Sequence, residues 1–323
     1  MREKTSALHS GYVIDGVRQE LTPAQMLGIP AEEGCAAIVD ESIDPGVVGD
    51  ASMPMSQAAA DSRRSLTSAI VDTLWLDGRF RIGNLACLPT WHWNEERMGN
   101  MAAFFASVES LADAADSLGV ALSGCSYDGG CETCGLSVEM SAGNAADEEA
   151  ELPFRLDGAC MGKGRICPDK AEPDLHSWLV YVPFTAEWGQ FDADYFIDCH
   201  ELVRELVEDG VIISGCSAGP EGLEDTLAGY VGDAGAVVRI AGIIRHFAVP
   251  DVRILRENVP GVLFQIRDID YDYIDAEFLL QDVAYFPLGH PSGGGLVIDR
   301  TDKSGIQSIL ESLMESRSSE GED

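Results

Sequence analysis

The run FFASVESLADAADSLGVALSG, residues 104–124, decides how the remainder of the chain is read. Phe104, Val108, Leu111, Ala112, Ala115 and Leu118 recur at steps of three and four, which gives a helix one apolar face, while Glu109, Asp113 and Asp116 mark the opposite one. Gly119 ends the helix. Val120, Ala121 and Leu122 follow without polar alternation, as in a strand covered on both faces, and Ser123 and Gly124 close it in a tight turn. A helix feeding a buried strand is the building unit of α/β proteins, and the loop after such a strand is where they place ligand chemistry.

The 323 residues, 46% hydrophobic and 24% charged, suffice for one large domain or two ordinary ones with a real core. Charge narrows the partners. Fifty-five acidic residues face 21 basic ones, a net charge of −34, so the surface repels phosphate backbones and anionic headgroups and argues against nucleic-acid or membrane partners. Residues 1–6 lack an apolar leader run, and no stretch approaches the roughly 20 apolar residues of a membrane span. A cytoplasmic protein with reduced thiols is expected. Of nine cysteines, Cys131 and Cys134 form a CxxC with Cys125 six residues upstream. Structural zinc wants four ligands and no second pair exists, so free thiols in a glycine-rich loop are expected, with zinc at Cys131 and Cys134 the alternative.

Residues 1–35 read as a polar, weakly patterned lead-in, in which Thr22 and Pro23 open a short helix. A strand is expected at 36–39, a helix at 55–70 and a strand at 81–86. Residues 89–100 read as irregular and aromatic, with His92 between Trp91 and Trp93 as part of an aromatic cluster rather than a ligand. A strand at 135–140, an acidic loop at 141–151 and a glycine-interrupted strand at 154–166 follow. Residues 167–174 hold two prolines and four charges and are the expected linker. Beyond it, strands at 178–182, 211–213, 237–240 and 262–266 are interspersed with helices at 196–208, 222–231 and 306–314; residues 316–323 form a polar tail. This pattern predicts two α/β or α+β domains, at 36–170 and 171–315.

The order of these landmarks resembles the AIR-synthase-related (PurM-like) superfamily and is most similar to one half of phosphoribosylformylglycinamidine synthase. Residues 104–124 resemble that family's helix and strand leading into a V-V-S-G-N turn. Residues 58–66 are similar to its A-x-x-E-A-x-R-N-L helix, with Asp61 at the acidic position and Arg64 at the arginine. Residues 82–85 (IGNL) resemble its T-D-N-L turn, and residues 211–240 the unit carrying H-D-x-S-D-G-G-L. Residues 255–261 (LRENVPG) resemble F-S-E-N-P-G, and 284–289 (AYFPLG) the closing A-Y-x-I-G. The resemblance implies an N-terminal half-barrel domain and a C-terminal α/β domain.

For function, the resemblance implies ATP- and magnesium-dependent conversion of formylglycinamide ribonucleotide to its amidine in purine biosynthesis, with ammonia from a glutaminase partner. One unit in place of two implies a homodimer or pairing with a separately encoded homologous half, because a lone unit exposes a sheet edge. The implied nucleotide-binding residues are Arg64, Asn84, Gly124, Asp128, Gly219 and Glu257, with the bends at Asn84, Gly124, Gly219 and Glu257 around one hollow. Asp128 and Glu257 are the implied magnesium ligands. Several positions depart from the family: Gly83 stands where its magnesium-holding Asp stands, Ser214 and Gly215 at its His and first Asp, and Ala218 near its second Asp. Two further readings stay open. One is a non-catalytic nucleotide-binding or scaffolding homologue; the other is a different ATP-using member, similar to selenophosphate synthase, hydrogenase-maturation proteins or thiamine-phosphate kinase. Taken singly, Arg64 is equally an i,i+3 partner of Asp61, Glu257 a surface carboxylate, Asp128 turn chemistry before Gly129, and His290 a turn residue.

Overall fold

The computed structural model describes residues 7–30, 37–41, 52–76, 80–142 and 164–300. The acidic loop beyond residue 142, the strand expected at 154–166 as far as residue 163, the last helix and the tail lie outside the described residues.

In the first lobe, Thr22 and Gln25 form a reciprocal capping box that starts α1 (Pro23–Met26). Ahead of it, β1 (Gly11–Ile14) turns back into β2 (Val17–Arg18) and pairs in parallel with β3 (Ile38–Glu41). The lead-in therefore contains a small sheet: Tyr12 and Ile14 alternate inward, and Tyr12 meets Phe105 at 5.3 Å between ring centroids. α2 (Met55–Asp72) and α3 (Asn100–Leu118) pack on each other and on a sheet of β4 (Leu85–Asn94), β5 (Ala121–Leu122), β6 (Ser126–Asp128) and β7 (Gly130–Ala142). Gly119 caps α3 at φ +68°, the left-handed conformation that glycine adopts without strain.

Three expectations are corrected here. The strand expected at 81–86 starts only at Leu85, because residues 82–84 form a 3-10 turn. Residues 89–94 are not irregular: β4 runs through them, with Cys87, Pro89, Trp91 and Trp93 buried and His92 exposed. Pro89 is tolerated because it falls in the break between β5, paired with Ala86 and Cys87, and β6, paired from Thr90 to His92. The strand after α3 is a two-residue edge with Ala121 exposed, not a strand covered on both faces.

The second lobe contains β8 (Ser177–Pro183), β9 (Ile212–Ser217), β10 (Ala236–Arg239), β11 (Gly261–Arg267), β12 (Phe286–Gly289) and β13 (Leu296–Asp299). Four of these make an antiparallel sheet ordered β12-β8-β11-β9, and β10 pairs in parallel with β13. Around them lie α4 (Ala193–Glu208), α5 (Leu223–Val231), α6 (Ala241–Phe247), α7 (Asp251–Arg256) and α8 (Tyr271–Leu280).

β8 and β11 are buried on both faces, so they read as unbroken apolar runs. Val180, Val182, Phe264 and Ile266 join a core that runs from Tyr12 and Trp91 through Leu66, Phe104 and Leu111 to Phe196 and Val203. Leu179, Tyr181 and Leu263 join a second core with Leu227, Ile243 and Leu255. The first core crosses from one lobe to the other, so packing joins them. No helix among the described residues is long and apolar enough to cross a membrane. The described cysteines Cys87, Cys125, Cys131, Cys134, Cys167, Cys199 and Cys216 are free thiols.

Candidate nucleotide-binding site

Helical spacing on α2 and α3 builds one wall of a cavity of about 520 Å³ between the lobes. Ala60, Arg63, Arg64 and Thr67 recur at three- and four-residue steps on α2, as do Ser110, Asp113, Ala114 and Ser117 on α3. The second lobe supplies Phe184, Thr185, Gly189, Gln190, Phe191, Phe196 of α4, and Asn258, Val259 and Pro260 ahead of β11. Its volume is that of a small-molecule site.

Arg63 donates from Nη1 to Ser110 Oγ at 2.6 Å, and Arg64 from Nη1 to Asp61 Oδ1 at 2.5 Å. Each bond uses one N–H of a five-donor fork and fixes its guanidinium at the cavity wall. Across from them, Asn258 Oδ1 is buried without a hydrogen-bond partner. A buried acceptor in that state is costly, and Asn258 is one of the residues that line the cavity. Phe184 and Phe196 meet edge to face at 5.3 Å and give the cavity an apolar side. Asp113 is the one carboxylate among its lining residues.

Glu257 stands at the edge of this cavity. It ends α7, accepts Arg253 Nε at 2.5 Å and Nη2 at 3.0 Å, and approaches Gly189, which lines the cavity. Gly219 lies instead in a second cavity of about 380 Å³, with Asp72, Trp75, Arg165, Lys170, Ser217 and Thr226. Several of the groups there are already paired. Gly219 N–H donates to Thr226 Oγ1 at 2.8 Å, Trp75 Nε1 to Ser217 Oγ at 3.1 Å, and Arg165 Nη2 to the Gly215 carbonyl at 2.6 Å. Burial raises the Asp72 carboxyl above its usual range, against a Ser217 hydrogen bond and the Arg165 charge. The Gly219 turn consequently does not present its amide to an anion.

Asn84, Gly124 and Asp128 line neither cavity. Asn84 ends a 3-10 turn before β4, Gly124 lies between β5 and β6, and Asp128 ends β6. The six residues are therefore not gathered around one hollow: Arg64 lines the first cavity with Glu257 at its edge, Gly219 lines the second, and the other three belong to the first-lobe sheet. Asp128 and Glu257 sit in different lobes, and Glu257 is engaged by Arg253, so this pair does not fit a magnesium ion.

Cys131 and Cys134 also part company. Asn100 Nδ2 reaches Cys134 Sγ at 3.3 Å and Cys134 packs against the first core, whereas Cys131 lies beside His92 and Asp128. His92 is corrected accordingly: alternation along β4 buries Trp91 and Trp93 and turns the imidazole out of the aromatic cluster. His290 donates from Nδ1 to the Ser177 carbonyl, 2.8 Å away, and lies against Trp178. Sequence reasoning passes over Arg63 and Asn258, although they adjoin Arg64 and Glu257 in the matched motifs.

No protein-family model matches the chain, and no curated protein matches it. Solved structures do. PurLQS from Thermotoga maritima superposes at TM-score 0.58 and 15% identity, over 77% of this chain and 40% of that one. T. maritima PurL complexed with ATP gives 0.57 and 14% over the same shares, and PurL complexed with FGAR gives 0.57 and 13% over 77% and 42%. The chain has the AIR-synthase-related fold. At this identity the likeness is one of fold, and the chain spans about two fifths of the length of the PurL chains it matches. Within this fold, the 520 Å³ cavity lies where α2 and α3 of the first lobe meet the second lobe. At the family's His and first Asp positions this chain offers no reactive group. Ser214 is buried in hydrogen bonds with Tyr230 and Gln265, and any side chain on Gly215 would overlap the Trp75 ring.

Proposed function

We propose that this chain is a nucleotide-binding protein of the AIR-synthase-related superfamily that takes ATP in the cavity between its lobes. The observation that carries this reading is Arg63 and Arg64 on one wall and the unpartnered Asn258 Oδ1 on the other. Forked guanidinium donors suit phosphate oxygens, Asn258 adds a polar side chain on the opposite wall, and Phe184, Phe191 and Phe196 offer apolar contact to a base. That PurL has been solved with ATP, ADP and AMPPCP supports the same reading.

Its finer form is the phosphoribosylformylglycinamidine synthase reaction. ATP phosphorylates the amide oxygen of formylglycinamide ribonucleotide, ammonia from a glutaminase partner displaces that oxygen as phosphate, and amidine, ADP and phosphate result. Pairing with a second copy or a homologous half is supported by β7, whose 13 residues pair only with β4 among the described residues. A second reading, a non-catalytic nucleotide-binding subunit, is favoured by the cavity's single carboxylate and by the blocked positions at Ser214 and Gly215.

Thermal-shift titration with ATP, ADP and AMPPCP tests the binding. A saturable rise worth about 2.7 kcal/mol at a hundredfold excess over Kd is expected, and Arg64→Ala and Asn258→Ala should each reduce it. No rise with any nucleotide overturns the proposal. Incubation with formylglycinamide ribonucleotide, ATP, magnesium and ammonium then separates the two readings, since ADP release requires the enzyme and binding alone requires only the subunit.

A further inference from the structure

The first lobe carries a second cluster of reactive side chains, remote from either cavity's lining. β4 and β6 run in parallel with His92 directly opposite Asp128, and alternation along β4 turns His92 outward. Cys131 arrives from the other side of β4. There the register places His92 opposite Gly135 and then jumps to Asn94 opposite Gly130, which leaves residues 131–134 looped out against Trp93 alone. This four-against-one bulge sends Cys134 to Asn100 and brings Cys131 to the His92–Asp128 pair. A ring nitrogen of His92, a carboxylate oxygen of Asp128 and the Cys131 sulfur lie within 4.8 Å of one another.

The frame that holds them is itself braced. Asp128 Oδ1 accepts the Gly130 N–H at 3.1 Å, and Asn94 Nδ2 donates to the Glu132 carbonyl at 2.9 Å. Gly129 has no room for a Cβ because the Glu95 carboxylate occupies that space, held by the Tyr127 hydroxyl at 2.9 Å.

One imidazole, one carboxylate and one thiolate form a mixed donor set. Magnesium and calcium select oxygen donors throughout and copper(I) selects sulfur, whereas zinc takes nitrogen, oxygen and sulfur together. An ionised Asp and a thiolate also neutralise a divalent cation, which a chain of net charge −34 attracts. We infer that His92, Asp128 and Cys131 form an exposed zinc site, with three protein ligands and the fourth position open to water or to a donor from another molecule. Zinc bonds of about 2.0–2.3 Å set tetrahedral ligand atoms about 3.5 Å apart, so small side-chain rotations close the trio on the ion. An open fourth position is the arrangement in which zinc activates water or polarises a carbonyl.

The test uses the full chain, freed of metal with a chelator and titrated with cobalt(II) and then zinc. One equivalent of cobalt is expected to produce a thiolate-to-metal charge-transfer band and a tetrahedral ligand-field spectrum, and zinc to bleach both. Cys134→Ser should keep the band and Cys131→Ser should lose it. His92→Gln and Asp128→Asn should each weaken zinc by about tenfold or more, since even groups that only orient ligands are worth 10–100-fold. Circular dichroism of the metal-free variants checks that the substitutions, two at exposed and two at half-buried positions, leave the fold intact. Absence of the band in the parent chain, its loss in Cys134→Ser, or its survival in Cys131→Ser overturns the assignment.

Discussion

The indole of Trp75 fills the space into which any side chain at Gly215 would project. Trp75 is buried just after α2, donates to Ser217 across the lobes, and lies 5.9 Å from the Arg165 guanidinium. Glycine at 215 is therefore a packing requirement of this chain, at a position where the family it resembles carries an acid. Gly215→Ala is expected to cost about 1–3 kcal/mol as overpacking, and Gly215→Asp more, because it also buries a charge beside a ring. Thermal denaturation reads both. Replacing Trp75 by Leu in the Gly215→Ala background should recover part of the loss; an unchanged Tm for Gly215→Ala alone would mean the ring moves freely.

Asn100 ties the start of α3 to its surroundings. Its Oδ1 accepts the Met53 N–H at 3.0 Å, Nδ2 donates to the Asn94 carbonyl at 2.8 Å, and its own carbonyl accepts Trp93 Nε1 at 2.7 Å. The side chain is buried, so Asn100→Ala leaves partners unpaired away from water at about 1–3 kcal/mol each. Urea denaturation should show a loss of at least that size with an unchanged m-value.

Glu257 and Asn84 offer a negative prediction for the nucleotide site. Glu257 is held by Arg253 at the cavity's edge and Asn84 is exposed before β4, so neither should carry binding energy. Glu257→Ala and Asn84→Ala are expected to keep the ATP-induced thermal shift that Arg64→Ala and Asn258→Ala diminish. Loss of the shift in the first pair would relocate the site.

How far the sequence could be read depends on element length and on what tertiary contacts add. α3, α4, β8 and β11 are legible because they are long, or buried so completely that the apolar run is unbroken. α6 and α7, with 7 and 6 residues, hold too few turns for a helical period to show, and β4 is masked by Pro89 and the aromatic residues around it. Arg64 is visible in its motif, but the value of Asn258 rests on an unpartnered oxygen that only packing reveals. His92, Asp128 and Cys131 come together through a register jump between β4 and β7, which no spacing rule announces.

His200 makes stability depend on pH in a way that can be isolated. It lies on α4, fully buried, with no hydrogen-bond partner at either ring nitrogen. Burial first, and then the charge of Arg204, pushes its pKa down to about 3 from an ordinary 6.5. Arg204, which pairs with Glu201 at 2.7 Å and Glu208 at 2.5 Å, keeps its guanidinium charge throughout this range. Below about pH 6.5 the unfolded chain takes up a proton that the folded chain refuses until about pH 3. Stability from this group is thus complete above pH 6.5 and declines with acidification by up to about 1.4 kcal/mol per pH unit. Carboxylates add their own slope, so the measurement is a difference: denaturant unfolding of the parent and His200→Leu at about pH 7, 6 and 5. The stability of the variant relative to the parent should rise as pH falls. A constant difference across that range would show that the ring is protonated in the fold as readily as in the unfolded chain.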